Sequence, residues 1–299
     1  MNLFKLLLAV PKSIQRAWGG WIARILPSSS NWYSVTYGGG NFVAVSSTSS
    51  TAAAYSVDGI TWLASTLTGA VNWYSVAYGN GAFAAIAFQS SITAVSTDGG
   101  SSWQTGIMPS SSNWRTISYG NGVFVAVGDG SSAVAVSVNG ISWTASVMPA
   151  SGTWYPLTFG NGIFVSLAFG SSIAATSSDG VNWVQRVLPV VANWRSVVYG
   201  NGIFLAIADT TILATSTDGI NWAQGALPTS SLWGSAAFGN GLFVITSTSN
   251  TNISLSSSDG INWATRLLPN TGIFRSVTYG AGRFVSVQSQ AAVAATSTY

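Results

Sequence analysis

The sequence predicts an all-β protein, a seven-bladed β-propeller of four-stranded antiparallel blades, and three observations carry that prediction. An 11-residue interval between two aromatics occurs seven times: Trp21 to Trp32, Trp62 to Trp73, Trp103 to Trp114, Trp143 to Trp154, Trp183 to Trp194, Trp222 to Trp233 and Trp263 to Phe274. Around it runs a repeat of 39–41 residues, and a fixed period of that size marks an array of one supersecondary unit. The first and last copies are each incomplete, and they complete each other.

Within Trp114 to Pro149 each element has its own signal. Trp114 to Tyr119 alternates and reads as a first strand. Gly120-Asn121-Gly122 follows, and the same triplet recurs at Gly79, Gly160, Gly200 and Gly239. Asn-Gly supplies the positive φ values of a tight hairpin turn. Phe124 to Val127 is the second strand and Ala133 to Ser137 the third. Asn139-Gly140 turns the chain again, into a fourth strand from Ile141 to Val147. Such a unit cannot cover its own apolar faces, so neighbours must stack on it. Four strands per repeat favour a propeller blade over an open β-solenoid, whose repeats are generally shorter.

The chain reads as a circle cut in the turn before a fourth strand. The last copy stops at Ala294 to Tyr299, where the others continue into a turn and one more strand. The missing strand stands at the other end, in Gly19 to Pro27, which matches Asn262 to Pro269. Two segments follow: a docking tail over 1–18, short and helical or extended, and a propeller over 19–299 whose seventh blade takes its fourth strand from 19–27. Closing the ring also limits exposed sheet edges.

Composition narrows the function classes. Apolar residues make up 47% of the chain and charged residues only 6%, against roughly 25% charged in an average soluble domain. A neutral, hydroxyl-rich surface suits polar ligands such as glycans. The net charge of +3 comes from Lys5, Lys12 and Arg16; beyond residue 18, seven Arg balance seven Asp. No basic face is offered to a nucleic acid. No run reaches the ~18 apolar residues of a membrane span. With no Cys there is no disulfide framework, and with no Cys or His there is no His/Cys metal site. No cofactor is implied.

The turn before the fourth strand carries the most specific motif. It reads Ser56-Val-Asp-Gly-Ile-Thr-Trp62, Ser177-Ser-Asp-Gly-Val-Asn-Trp183, Ser216-Thr-Asp-Gly-Ile-Asn-Trp222 and Ser257-Ser-Asp-Gly-Ile-Asn-Trp263. Ser96 to Trp103 is one residue longer, and Asn139 replaces the Asp in Ser137 to Trp143. This pattern resembles the Asp box of sialidase-like propellers, in full length at Ser96 and shortened elsewhere. The whole unit is also similar to propeller repeats of bacteriophage tail and other virion proteins, over residues 19–299. The resemblance implies a structural turn, in which Asp58, Asp98, Asp179, Asp218 and Asp259 cap backbone N–H groups and the tryptophan packs into the blade.

Catalysis finds little support. Glycosidases normally need two carboxyl groups at a defined separation, and the resemblance to sialidases would imply a Tyr nucleophile, an acid/base Asp and three Arg. The chain has no Glu and no His, and only Asp129 and Asp209 lie outside the turns. Both follow a second-strand Phe by five residues, at a loop position where a carboxylate simply solvates a polar turn. A weak Ca²⁺ site of Asp and backbone carbonyls stays open.

A binding face has a clearer signal. The residue after each first-strand aromatic varies while its neighbours stay fixed: Tyr33, Tyr74, Arg115, Tyr155, Arg195, Gly234, Arg275. First strands usually line a propeller's channel, so three Tyr and three Arg are placed around one mouth. Tyr and Arg dominate binding hot spots, and aromatic faces stack on sugar rings. The alternative is that these residues only fill or rim the channel. Arg24, Arg186 and Arg266 fall on fourth strands and read as a solvated edge or packing contact.

In the tail, Leu3, Phe4, Leu6, Leu7, Val10 and Ile14 form one side of a short helix broken near Pro11. The segment lacks a clear cleavage site for a signal peptide and binds a membrane surface only marginally, so it reads as a protein-docking element. Together these features predict a non-enzymatic structural or binding protein of a phage-like virion, a fibre, spike or decoration component within a larger assembly. Its tail docks to other virion proteins and its face contacts a host surface or glycan. The alternatives are a free multivalent lectin, secreted or extracellular, and a sialidase-like glycoside hydrolase.

Overall fold

A computed structural model of the protein describes residues 19–298, and every regular element among them is a β-strand. The docking tail predicted over 1–18, with its helical or extended form, lies outside the described residues. Trp154–Gly160, Ile163–Ala168, Ser171–Ser177 and Val184–Ala192 pair in chain order as one antiparallel four-stranded sheet. Trp194–Gly200, Ile203–Ala208, Ile212–Ser216 and Ala223–Ala226 form a second such sheet, and Trp233–Gly239, Leu242–Ser247, Thr251–Ser257 and Ala264–Gly272 a third. Elsewhere a fourth strand runs without a break into the next first strand, as in Leu63–Gly79, so the pairing continues through an 11-stranded sheet. Residues up to Val71 pair back to Ser50–Ser56, and those from Asn72 pair onward to Ala82–Ser96.

The two ends of the described chain meet in one sheet. Gly20 to Ile25 lie antiparallel to Val293 to Thr298, with Gly20 opposite Thr298. Trp21 is buried, and its indole N–H donates to Ser254 Oγ at 3.0 Å.

Hairpin turns have the conformation that Asn-Gly favours: φ is 46° at Asn121 and 82° at Gly122. The final hairpin puts Ala281 at φ 45°, where a Cβ is disfavoured.

Consecutive units are joined by two repeated contacts that start from sequence. The Ser two residues after the first-strand aromatic accepts an amide from the next unit: Ser34 from Val76, Ser75 from Ile117, Ser196 from Ala236 and Ser235 from Val277. Ser276 accepts from Val35, linking the last first strand to the first one at 3.1 Å. The Gly ending each first strand receives the aromatic ring of the next. A Cβ on Gly160 would lie 2.2 Å from Tyr199 Cγ, and one on Gly280 would lie 2.0 Å from Tyr37 Cγ.

The core therefore sits between units. One cluster joins Val125, Val127 and Met148 to Trp154, Leu157 and Phe164 of the following unit. Another joins Val285, Val287 and Ala294 to Trp32, Phe42 and Trp62. Fourth strands bury one residue, such as Met148 or Leu188, and follow it with Pro149 or Pro189. A proline there removes an N–H that a foreign strand would need, which blunts the edge.

Candidate functional site

The variable residue of each first strand is placed by a local irregularity. Its preceding aromatic is anchored: Trp32, Trp73, Trp154, Trp194, Trp233 and Phe274 are fully buried. Most of the indole N–H groups bond a carbonyl four residues earlier, Trp73 to Gly69 at 3.0 Å for example. The strand register then shifts between Trp32 and Ser34, Trp73 and Ser75, Trp114 and Thr116, Trp194 and Ser196, Trp233 and Ser235, and Phe274 and Ser276, and between Trp154 and Leu157 where Pro156 follows. The residue in between is a bulge, left out of the ladder and re-aimed. Periodicity gave no sign of this bulge; the only signal was variability between fixed neighbours.

All seven of these residues line one cavity of about 160 Å³. The side chains form a continuous arc. Tyr33 stacks on Tyr74 at 4.3 Å and 8°, and Tyr74 stacks on Phe88 at 4.7 Å. The Arg115 guanidinium lies 5.0 Å from the Tyr74 ring and 4.1 Å from the Tyr155 ring, and it donates to the Tyr155 hydroxyl. Arg195 lies 4.6 Å from the Phe169 ring, and Arg275 lies 5.3 Å from Tyr33. Arg275 Nε is buried with no acceptor. The tyrosine faces are thus spent on each other and on guanidinium groups, which leaves little ring face for a sugar. Ser34, Ser75, Ser196, Ser235 and Ser276 also line the cavity.

The charges are held firmly. Burial works against the Arg115 charge, but the Tyr155 and Tyr33 oxygens beside it raise its pKa above the ordinary value. Burial would raise Tyr155, yet Arg115 and then Arg195 outweigh it and hold its phenol below the usual range. Burial, reinforced by Tyr155, pushes Tyr33 well up, so Tyr33 stays a neutral hydroxyl.

Asp209 departs from the expectation of a solvated loop carboxylate. It is buried, and Arg195 donates to its Oδ2 from both Nη2, at 3.0 Å, and Nε, at 3.3 Å. The polar loop that follows the second strand is tied back to the start of the first, with the Asp209 amide bonded to the Asn193 carbonyl. Asp129 bonds the Asn113 carbonyl through its amide in the same way. Arg24, Arg186 and Arg266 lie on fourth strands, where each Nε donates to a hydroxyl: Thr296, Thr176 and Ser256.

The turn carboxylates lie away from this cavity. Asp179 Oδ1 accepts the amides of Val181 and Asn182 at 2.8 Å and the Ser177 hydroxyl at 2.9 Å, while Oδ2 accepts from the Asn182 side chain. Asp218 and Asp259 repeat this set, and Asp58 and Asp98 keep most of it. The Asn182 bonds draw the Asp179 pKa well down; for Asp98 and Asp58 burial opposes, but hydrogen bonds from Ser102 and from Thr61 and Ile60 win. Nearby, Trp183 Nε1 donates to Gly180 O at 2.9 Å, and its ring is tilted against Phe164. No group of three or more His, Cys, Asp or Glu that could hold a metal occurs among the described residues.

Residues 156–283 match the DUF6242 beta propeller domain. The fold is a β-propeller. Similar solved propellers include YCF48 bound to D1 peptide, at TM-score 0.74 and 16% identity over 99% of this chain and 100% of that one. A streptogramin B lyase aligns at TM-score 0.82 and 12% identity over 95% of this chain and 99% of that one. A catalytically inactive histidine-to-alanine variant of virginiamycin B lyase from Staphylococcus aureus aligns at TM-score 0.82 and 9% identity, over 93% and 99%. No curated protein sequence matches the chain. At these identities the likeness shows the propeller alone, since one fold hosts many functions.

Proposed function

We propose that this propeller is a closed ring of seven blades and a non-enzymatic binding protein that meets its ligand at one channel mouth. The observation that carries the binding reading is convergence. Three Tyr and three Arg come from six different units to line one cavity, each re-aimed by a bulge. Closure is supported by the Ser276–Val35 bond, the seating of Tyr37 on Gly280 and the pairing of Gly20–Ile25 with the last strand.

The non-enzymatic reading is supported by what the chain lacks. It has no His and no Glu, its turn carboxylates are tied to backbone amides, and Asp209 is neutralised by Arg195. A peptide occupies one similar propeller, so peptides as well as glycans are candidate ligands here. The repeat pattern and the apolar tail of residues 1–18 support placement in a phage-like virion, the tail docking to the particle and the mouth facing the host surface.

The test is a screen of the full chain on a glycan array and on whole bacterial cells, beside Tyr74→Ala and Arg275→Ala. Saturable binding that both substitutions weaken at least tenfold is the expected result. Binding that neither substitution alters removes the mouth from the argument. Deleting residues 1–18 is expected to abolish incorporation into particles while the ring stays folded.

A further inference from the structure

The mouth is not symmetric. Three guanidinium groups line it, and Asp209 neutralises one of them. Arg115 is held between the Tyr74 and Tyr155 rings. Arg275 keeps a buried Nε–H with no acceptor. In ring order Gly234 stands between Arg195 and Arg275, the one position where the bulge carries no side chain. The Thr248 methyl takes the place a side chain would have there: a Cβ on Gly234 would lie 2.2 Å from Thr248 Cγ2, while the Thr248 hydroxyl is turned to Leu232 O at 2.9 Å. On the floor, Ser196 and Ser235 accept amides from Ala236 and Val277, bonds that do not use their hydroxyl hydrogens.

We propose that the cavity between Arg195 and Arg275 seats a carboxylate, held by the Arg275 guanidinium and by the Arg195 N–H groups that Asp209 leaves free, with the Ser196 and Ser235 hydroxyls lining the same cavity. This rests on the reading of the mouth as the binding face. Four facts converge on the class of ligand. The cavity carries excess positive charge and is partly enclosed, which strengthens attraction to an anion. An orphaned guanidinium N–H is costly until an acceptor arrives. Guanidinium forks match a flat, two-oxygen anion. The stacked tyrosines leave little face for a neutral sugar ring. The carboxylate belongs either to a sugar acid or to a peptide chain end, and both present the same group.

The experiment follows the arginine Nε–H signals of the ¹⁵N-labelled full chain at constant ionic strength, during titration with acetate, acetamide and inorganic phosphate. Acetate is expected to shift Arg275 and Arg195 saturably, and Arg275→Gln to weaken that response at least tenfold with thermal unfolding still cooperative. Acetamide is expected to do nothing. Glucuronate and N-acetylglycine then separate the two sources, the tighter one naming the ligand class. An equal response from Arg24, Arg186 and Arg266, a response to acetamide, tighter phosphate binding, or no saturation overturns the proposal. A neutral glycan captured at the mouth without any carboxylate response would overturn the carboxylate and leave the mouth standing. Failure of both would remove both.

Discussion

The side-chain amide of Asn121 donates to the carbonyl of Ser178 at 2.8 Å, across the boundary to the next blade. The same residue takes the positive φ of its own hairpin, so one side chain both shapes a turn and clamps a neighbour. Asn80, Asn161 and Asn201 reach Val138, Thr217 and Ser258 in the same manner. Asn121→Gly keeps the turn and removes the clamp, at an expected cost of about 1 kcal/mol. Asn121→Ala adds left-handed strain of about 1 kcal/mol more. Denaturant unfolding of the two variants separates the contributions; equal costs would show that the turn conformation carries nothing.

Ala281 occupies the Asn position of the final hairpin at φ 45°, with neither advantage. Ala281→Asn is expected to stabilise the protein by about 1 kcal/mol from relieved strain alone. In the pattern of the other blades the new amide would face the Val57 carbonyl. Ala281→Gly is expected to gain less, having no clamp. A loss of stability in Ala281→Asn would contradict the equivalence of the hairpins.

Closure of the ring has its own test. Gly160 and Gly280 end first strands at equivalent positions, and a Cβ on either collides with a ring, Tyr199 in one case and Tyr37 in the other. Overpacking of this kind costs about 3 kcal/mol. Gly160→Ala and Gly280→Ala are expected to destabilise equally. A mild Gly280→Ala beside a severe Gly160→Ala would mean that the first and last units are not packed in solution as the others are.

Acid should act through the turns. Asp58, Asp98, Asp179, Asp218 and Asp259 all have pKa values lowered by folding. Their contribution is fully present above the unfolded carboxylate pKa of about 3.9 and is lost as pH falls through the lower folded values. Stability is therefore expected to be flat from neutrality to about pH 5 and to fall steeply below about pH 4. Asn139 is the built-in control: its Oδ1 accepts the Ile141 and Ser142 amides without a charge to lose. Asp179→Asn should flatten part of the acid limb, and Asn139→Asp should steepen it. Urea midpoints between pH 2 and pH 7 check both, and an unchanged slope in both variants would remove the turns from acid unfolding.

The repeating unit was legible because its signals are local. Trp spacing, Asn-Gly turns and alternation each follow from backbone geometry within about 40 residues. The mouth was legible only as a column of variable residues beside fixed ones. What escaped was relational. The bulge at Tyr33 depends on the register between two strands. The Ser after it carries no sequence signal of its role, yet its hydroxyl accepts an amide from a strand some 40 residues away. Asp209 looked like a loop carboxylate because its partner, Arg195, lies on a different strand. The stacked tyrosines changed the chemistry read from the same six residues, from sugar platforms to supports for guanidinium groups.

That ion pair gives the last prediction. Asp209 is 7% exposed and Arg195 27%, so the carboxylate is the more deeply desolvated partner. Removing one member of a buried pair costs about 3–5 kcal/mol, because the other is left uncompensated. Solvent reaches Arg195, so the lower end, about 3 kcal/mol, is expected for Arg195→Ala. Asp209→Ala leaves a guanidinium that can turn to water or stay over Phe169 at 4.6 Å, and it is expected to cost less. The double variant is expected to be more stable than Arg195→Ala alone, since the stranded carboxylate has gone. A double-mutant cycle by denaturant unfolding measures this directly. Strict additivity would mean that the two groups contribute separately and that the pair is no more than proximity.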